Sequence, residues 1–255
     1  MTQHRPKIAL VTGASRGLGK NTALNLAKKG VDVIVTYHNG KEEANRVVAE
    51  IELIGAKAIV LQLDTSNIKS FNGFAEEVKR SLQENWQTEH FDFLVNNAGV
   101  GVYASFSDTT EDDFDRLMNI HFKGVFFLTQ KLLPLIEDGG RIVNISSGLA
   151  RFTYPGYAAY ASMKGAIEVL TRYMAKELGS RQITVNVVAP GAIETDFGGG
   201  TVRDNLDLNN LIASQTALGR VGLPDDIGGA IAALLSEESR WINGQRIEVS
   251  GGQSL

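Results

Sequence analysis

The chain has 255 residues, 25 basic and 29 acidic side chains, a formal net charge of −4, and 43% hydrophobic against 21% charged residues. These are ordinary globular proportions, enough for one large domain with a sizeable core, and the lack of any run of five like charges argues against a nucleic-acid or anionic-membrane surface. The absence of cysteine excludes a disulfide framework, a thiolate nucleophile and cysteine-ligated zinc, and the four histidines, at positions 4, 38, 90 and 121, show no ligand spacing, so no metal is expected.

Met1–Pro6 is polar and leads straight into an apolar strand, without a charged leader and long apolar region, and no apolar run is long enough to span a membrane; a soluble, cytoplasmic protein is expected. Short β-branched runs then alternate with helically spaced stretches. Strands are expected at Lys7–Thr12, Val31–Tyr37, Lys57–Leu63, Phe91–Asn96, Arg141–Ile145, Ile183–Val188 and Arg246–Val249, with helices near 18–29, 41–54, 67–85, 111–137, 157–179 and 224–236. The strands are nearly continuous in Val, Ile and Leu, as parallel strands covered on both faces are. This alternation implies right-handed crossovers and an α/β class: a Rossmann-type, doubly wound, parallel seven-stranded sheet with helices on both faces, in a single domain spanning residues 1–255. One stretch, Gly191 to about Thr216, lacks regular spacing and contains Gly198-Gly199-Gly200. It reads either as a surface insertion or as a substrate lid. The lid is favoured because the stretch begins just past a strand's carboxyl end, where open α/β sheets bind ligands.

Thr12-Gly13-Ala14-Ser15-Arg16-Gly17-Leu18-Gly19 follows the first strand and opens the first helix. Gly13 permits the sharp turn, Gly17 lets backbone approach a pyrophosphate, and Gly19 lets the helix pack closely on the sheet. The phosphate would lie among unpaired N–H groups at the positive end of the helix. Tyr160 and Lys164 lie four residues apart, so on a helix the phenol and the ammonium share a face. A free tyrosine has a pKa near ~10. The neighbouring positive charge is expected to lower it toward the range of a general acid/base. Ser147, thirteen residues upstream of Tyr160, can offer its hydroxyl to the oxygen of a reacting carbonyl.

With the spacing Gly-x3-Gly-x-Gly, the chain resembles the short-chain dehydrogenase/reductase family, and its 3-oxoacyl-carrier-protein reductase-like members in particular, through nearly its whole length. The resemblance implies that Asp64, closing the third strand, contacts adenine, and that Asn97, Ala98 and Gly99 of Asn96-Asn97-Ala98-Gly99 border the cofactor. It implies that Pro190-Gly191 with Ile193 and Thr195 holds the nicotinamide carboxamide, and that Asn119, Ser147, Tyr160 and Lys164 form the catalytic set. In that set Tyr160 gives or takes the substrate proton, Lys164 holds the ribose hydroxyls and depresses the tyrosine pKa, and Ser147 orients the carbonyl. Asn119 anchors a water linking Lys164 to solvent, and hydride passes directly to the carbonyl carbon without a metal. Ser146, Tyr154 and Tyr157 are near, but only Ser147 and Tyr160 keep the family's interval, and only Tyr160 has a lysine four residues on. The family also implies a homotetramer pairing the helices at 111–137 and 157–179, with a second contact near Trp241–Gly252, where Ser250 replaces the aspartate of many relatives.

After the second strand the chain reads Tyr37-His38-Asn39, with no carboxylate to bind a ribose 2′-hydroxyl, while Arg16 lies in the glycine turn. NADP(H) is therefore favoured over NAD(H), although Arg16 also fits a solvated loop charge and His38 a surface turn. Phe152, Tyr154, Tyr157 and Phe197 read as an apolar substrate pocket or as packing. The leading expectation is an NADPH-preferring carbonyl reductase, reversible as an alcohol dehydrogenase, acting on a small-molecule apolar or aromatic ketone or secondary alcohol. The alternative is a 3-oxoacyl-carrier-protein reductase, since Ile183–Asp196 resembles that group. An acyl carrier protein partner is disfavoured, because Glu137-Asp138 stands where those reductases carry basic docking residues, although Arg181 keeps another basic position. A sugar or polyol dehydrogenase, or a non-catalytic dinucleotide sensor, ranks lower; a sensor has no need of the full catalytic set.

Overall fold

In chain order the elements are β1 (Ile8–Val11), α1 (Gly17–Ala27), β2 (Asp32–Tyr37), α2 (Lys41–Ile54), β3 (Ala58–Gln62), α3 (Phe71–Trp86), β4 (Phe91–Asn96), α4 (Glu111–Met118), α5 (Gly124–Leu132), β5 (Ile136–Ile145), α6 (Ala158–Glu177), β6 (Thr184–Pro190), α7 (Thr201–Asp204), α8 (Leu206–Ser214), α9 (Pro224–Leu234) and β7 (Arg246–Val249). The computed structural model describes residues 5–255; His4 and the first four positions of the polar start lie outside the described residues. The strands form one seven-stranded sheet in the order β3-β2-β1-β4-β5-β6-β7, parallel at every pairing. Strand order reverses between β1 and β4, which opens a crevice at their carboxyl ends.

The period of two along β1 sorts the core into two layers. Ala9 and Val11 pack with Ala23 and Leu26 of α1, Val47 and Ile51 of α2, and Ile227 and Ile231 of α9. Ile8 and Leu10, one step out of phase, pack with Phe71, Phe74 and Val78 of α3, Leu128 and Leu132 of α5, and Ala175 of α6. All four β1 residues are buried, so the strand carries no polar alternation. Fully burying one such aliphatic side chain contributes ~1.5–3 kcal/mol. Among the described residues no helix is long and apolar enough to cross a membrane.

A ladder of polar side chains runs through this apolar packing. Asn96 Nδ2 donates to Thr129 Oγ1 (3.0 Å) and to Asn144 Oδ1 (2.9 Å), and Asn144 Nδ2 donates to Thr171 Oγ1 (2.9 Å). Directional bonds between buried groups fix relative position more tightly than apolar contact. Here they set α5 and α6 against β4 and β5.

Four expectations need correction. The helix expected over 111–137 is interrupted by a π turn at Asn119–Lys123, where the Gly124 N–H reaches back to the Asn119 carbonyl, and it ends in a short 3₁₀ turn at Leu133–Leu135 containing Pro134. The fifth strand begins at Ile136, not Arg141, because a bulge at its amino end absorbs the polar Glu137-Asp138-Gly139-Gly140: Phe91 pairs with Ile136 and Phe93 with Arg141. The helix expected over 67–85 starts with a 3₁₀ turn at Ile68–Ser70 before α3. Residues 191–216 are not structureless: a turn with Gly198, Gly199 and Gly200 at φ of 61°, 77° and 77° leads into α7 and α8. Asn205 caps α8 by accepting from Leu208 N at 3.0 Å.

The π turn fixes one glycine. A Cβ on Gly124 would strike the Thr65 carbonyl oxygen and would lie 2.7 Å from the Asn119 carbonyl oxygen, so α5 passes β3's exit loop backbone to backbone. Gly124→Ala is expected to lower the unfolding free energy by ~1–3 kcal/mol in urea denaturation; unchanged stability would contradict this packing.

Candidate active site

The two turns at the strand-order reversal are stitched together. Thr12 Oγ1 accepts from Asn97 N and Ala98 N, both at 2.9 Å, and Asn97 Nδ2 donates to the carbonyls of Thr12 (2.8 Å) and Gly13 (3.2 Å). Thr12 is a positioning residue that sequence reasoning passed over, although it heads the glycine motif. Gly19 is buried where a Cβ would strike the Gly13 carbonyl and lie 2.5 Å from Asn97 Nδ2, so the turn closes only on glycine. Arg16 caps α1 with no side-chain hydrogen bond, which leaves the N–H groups of the first helical turn, Gly17, Leu18 and Gly19, without a capping acceptor. An anion such as a pyrophosphate fits that cradle.

The rest of the expected cofactor strip borders the same crevice. Tyr37 is buried at the end of β2, while Arg16, His38 and Asn39 are exposed. Gln62 Nε2 donates to the His38 carbonyl at 3.0 Å and holds that turn. Asp64 lies 3.7 Å from His38 Nε2 and accepts from Ser66 N (2.9 Å) and Ser66 Oγ (2.7 Å). Burial pushes the Asp64 carboxyl up, but the Ser66 hydrogen bonds and the nearby His38 outweigh it and hold the group below its usual range. Pro190 closes β6, Ala192 N donates to Gln253 Oε1 at 2.8 Å beside Gly191, and Ile193 bridges to Gly222. The segment thereby brings Thr195 over Gly17, whose Cβ would lie 3.9 Å from the threonine side chain.

On the substrate side, Ser147 caps a short turn over Gly148–Ala150 and accepts from Leu149 N at 3.2 Å. Tyr160 is 7% exposed and Lys164 4% exposed. Lys164 Nζ donates to the Ile145 carbonyl at 2.7 Å and sits 5.5 Å from the centre of the Tyr160 ring. The structure thus brings Ser147, Tyr160 and Lys164 together. Asn119 lies half-buried at the head of the π turn, which packs against α6.

The expected lowering of the Tyr160 pKa is reversed. Burial pushes the phenol above its ordinary value, a hydrogen bond from Ser147 pulls the other way, and Tyr157 adds to the rise. The same burial pushes the Lys164 ammonium down to about 7. Spacing in sequence placed the charge correctly but could not price its desolvation. A phenol that keeps its proton is suited to act as an acid.

A chain of rings leads to Tyr160. Tyr103 meets Tyr157 edge-on at 5.4 Å, Tyr157 lies 6.5 Å from Tyr160, and Tyr160 lies 5.8 Å from Phe197. Three rings rest on glycines: Tyr103 on Gly156, Phe152 on Gly148, and Phe197 on Gly101, where a Cβ would come within 3.0 Å of the Phe197 ring. Tyr154 stands outside this chain. His121, read from sequence only as a non-ligand, is buried behind Tyr160 with its ring edge-on at 5.2 Å. Its one sequence signal is a histidine two residues after Asn119, flanked by the apolar Ile120 and Phe122.

Residues 13–254 match the family described as enoyl-(acyl carrier protein) reductase. The tetrahydroxynaphthalene reductase PfmaG of Pestalotiopsis fici is 38% identical over 264 positions, covering 98% of this chain and 93% of that protein. The structure of landomycin C-6 ketoreductase LanV with bound NADP and rabelomycin matches at a TM-score of 0.88 and 38% identity, covering 98% of this chain and 99% of that one. A short-chain dehydrogenase/reductase from Serratia marcescens matches at a TM-score of 0.90 and 30% identity, covering 98% and 99%.

The burial of Lys164 is testable without any ligand. In lysine-labelled protein one side chain is expected to titrate near 7, charged below that pH and neutral above it, and to vanish in Lys164→Arg. Titration of every lysine near ~10.4 would contradict the buried geometry.

Proposed function

Because this chain belongs to the short-chain dehydrogenase/reductase family, we propose that it is an NADPH-preferring carbonyl reductase, reversible as an alcohol dehydrogenase, acting on an aromatic or apolar ketone. The observation that carries this reading is the line of rings from Tyr103 through Tyr157 and the buried Tyr160 to Phe197, with Tyr160 beside Ser147. Such a wall suits a flat apolar substrate and offers little to a sugar. The named activity of PfmaG on a hydroxynaphthalene, and the rabelomycin bound to LanV, support a hydroxylated aromatic ketone as the substrate class.

Bound NADPH supplies the hydride. Ser147 Oγ donates a hydrogen bond to the ketone oxygen and so stabilises the negative charge that develops there. Tyr160 Oη, protonated because it is buried, delivers its proton to that oxygen and completes the alcohol. Lys164 holds positive charge beside the resulting phenolate, and Asn119 opens the route by which a solvent proton restores it. In the oxidative direction the same groups run in reverse.

Arg16, exposed at the head of α1, and the lack of a carboxylate among Tyr37, His38 and Asn39 support NADP(H) over NAD(H), as do the neighbours solved with NADP. Arg181 is held in place by Asp138 Oδ1 (2.7 Å), the Leu133 carbonyl (2.9 Å) and the Ile136 carbonyl (2.5 Å), and its pairing with Asp138 weakens it as a docking charge for an acyl carrier protein. We also infer a homotetramer paired through α4, α5 and α6. Exposed Phe106, Phe114 and Phe126, and an apolar hollow of about 330 Å³ against Ala158 and Ser162, support that contact.

On a panel of tetralones, hydroxynaphthalenones, diketones, acyl thioesters and sugars, NADPH oxidation is expected to be fastest with the aromatic ketones. Tyr160→Phe is expected to lower kcat by ~10²–10⁴-fold. Equal turnover in Tyr160→Phe, or none with any carbonyl, would overturn the reading. Arg16→Ala is expected to raise the KM for NADPH about 10- to 100-fold and leave that for NADH unchanged; parallel changes would contradict the coenzyme assignment.

A further inference from the structure

His121 is 1% exposed in the π turn at Asn119–Lys123. Its Nε2 lies 2.7 Å from the Val100 carbonyl oxygen and 3.2 Å from the Val100 amide nitrogen. The two contacts demand opposite tautomers. A bare ring nitrogen at 2.7 Å from a carbonyl would set two lone pairs against each other, so the shorter contact decides: Nε2 carries the proton and donates it. Nδ1 is then a bare acceptor, buried and without a partner in the protein. An unpaired buried acceptor is costly, and a native structure that keeps one generally supplies a donor.

The available donors are few. Of the titratable groups, Tyr160 meets the ring edge-on and the charge on Lys164 acts on it, both from α6; the segment Asn97–Val100, which meets Nε2 and Cε1, has none, and Lys123 of its own turn is exposed. Lys164 spends one of its three ammonium hydrogens on the Ile145 carbonyl. Burial, and then the charge on Lys164, hold the His121 imidazole well below its ordinary pKa, so it stays neutral and able to accept. The ring edge that carries Cε1 and Nδ1 leans on Gly99, whose Cβ would lie 2.7 Å from Cε1, so only glycine there leaves the ring in place.

We propose that His121 is a positioning residue for the reductase site: its Nε2–H fixes the Val100 carbonyl, and its bare Nδ1 accepts a hydrogen bond from Lys164 Nζ through one bridging water. One imidazole thereby ties the segment that borders the cofactor crevice to the ammonium that serves Tyr160. The proposal rests on the reductase reading for its kinetic consequence, but its tautomer stands apart from turnover.

Two variants separate the functions of the two nitrogens. His121→Gln keeps a donor at the Nε2 position and removes the acceptor at Nδ1, whereas His121→Asn keeps a polar atom near Nδ1 and is too short to reach Val100. In the pH profile of kcat/KM, the limb on which activity falls as Lys164 loses its proton is expected to move about one unit lower in His121→Gln, a loss of about tenfold at pH 8. His121→Asn is expected to keep the limb in place and to raise the KM for NADPH. A merely structural histidine would lower stability in both without moving the limb, and identical limbs in wild type and His121→Gln would overturn the proposal. Independently of folding of the variants, ¹⁵N-histidine spectra of the ligand-free wild-type protein are expected to show one neutral imidazole protonated on Nε2, whose Nδ1 signal shifts as Lys164 titrates. Protonation on Nδ1 would overturn the proposal whatever the kinetics. Absence of all turnover in wild type would instead sink the reductase reading, and the spectra would still decide the role of His121.

Discussion

Everything at the site depends on how α6 is clamped to the carboxyl end of β5. Three consecutive residues at the strand's end and just past it hold the helix: Asn144 Nδ2 bonds Thr171 Oγ1 at 2.9 Å, the Ile145 carbonyl accepts from Lys164 Nζ at 2.7 Å, and Ser146 Oγ donates to Glu168 Oε1 at 2.7 Å. Arg246 of β7 joins Glu168 at 2.7 Å from the far side, so the charge on the helix is paired as well as hydrogen-bonded. With Lys164 and Thr171 fixed, Tyr160 has one place to go. It lies one turn nearer the helix start, beside Ser147, the next residue along the same backbone. The juxtaposition of Ser147, Tyr160 and Lys164 is a consequence of strand register continued past the end of the strand.

The clamp has an electrostatic consequence. Drawing Tyr160 and Lys164 out of water disfavours the charged form of each, so the phenol keeps its proton and the ammonium sheds its proton near 7. Above pH 7 the pair therefore carries little net charge. A neutral imidazole is the right neighbour for such a site, because a second fixed cation would drive Lys164 lower still, and His121 is kept neutral by the same burial. On the open side the rings of Tyr103, Phe152 and Phe197 lie on Gly156, Gly148 and Gly101, so each ring rests on bare backbone.

Features governed by local sterics or by short periodicity were legible in the sequence. The continuous apolar strands, the glycine turn before α1 and the four-residue interval from Tyr160 to Lys164 each follow from chain geometry. The structure gives the reason for the turn, since a side chain at Gly19 would collide with Gly13 and Asn97. Features set by tertiary contact were hidden. The direction of the Tyr160 shift depends on how much protein covers the phenol, which no spacing reports. His121 meets its partner Val100 across 21 residues, and in sequence it is a lone histidine among apolar neighbours. The first half of β5 was misread because Glu137-Asp138-Gly139-Gly140 has turn chemistry, yet the sheet absorbs it as a bulge. The helices after β6 escaped notice because α7 and α8 are only 4 and 9 residues long, too short for a period to register.

The most direct test of the account is the fate of the transferred hydrogen in a single turnover. NADPH carrying deuterium at the transferable C4 position, mixed with wild-type protein and an aromatic bicyclic ketone, should place the deuterium on one face of the new carbinol carbon, and the Tyr160→Phe protein should give almost none. Deuterium that remains on the coenzyme, that appears at a neighbouring carbon, or that is transferred equally well without the phenol would contradict a site built to protonate a ketone oxygen from a buried tyrosine.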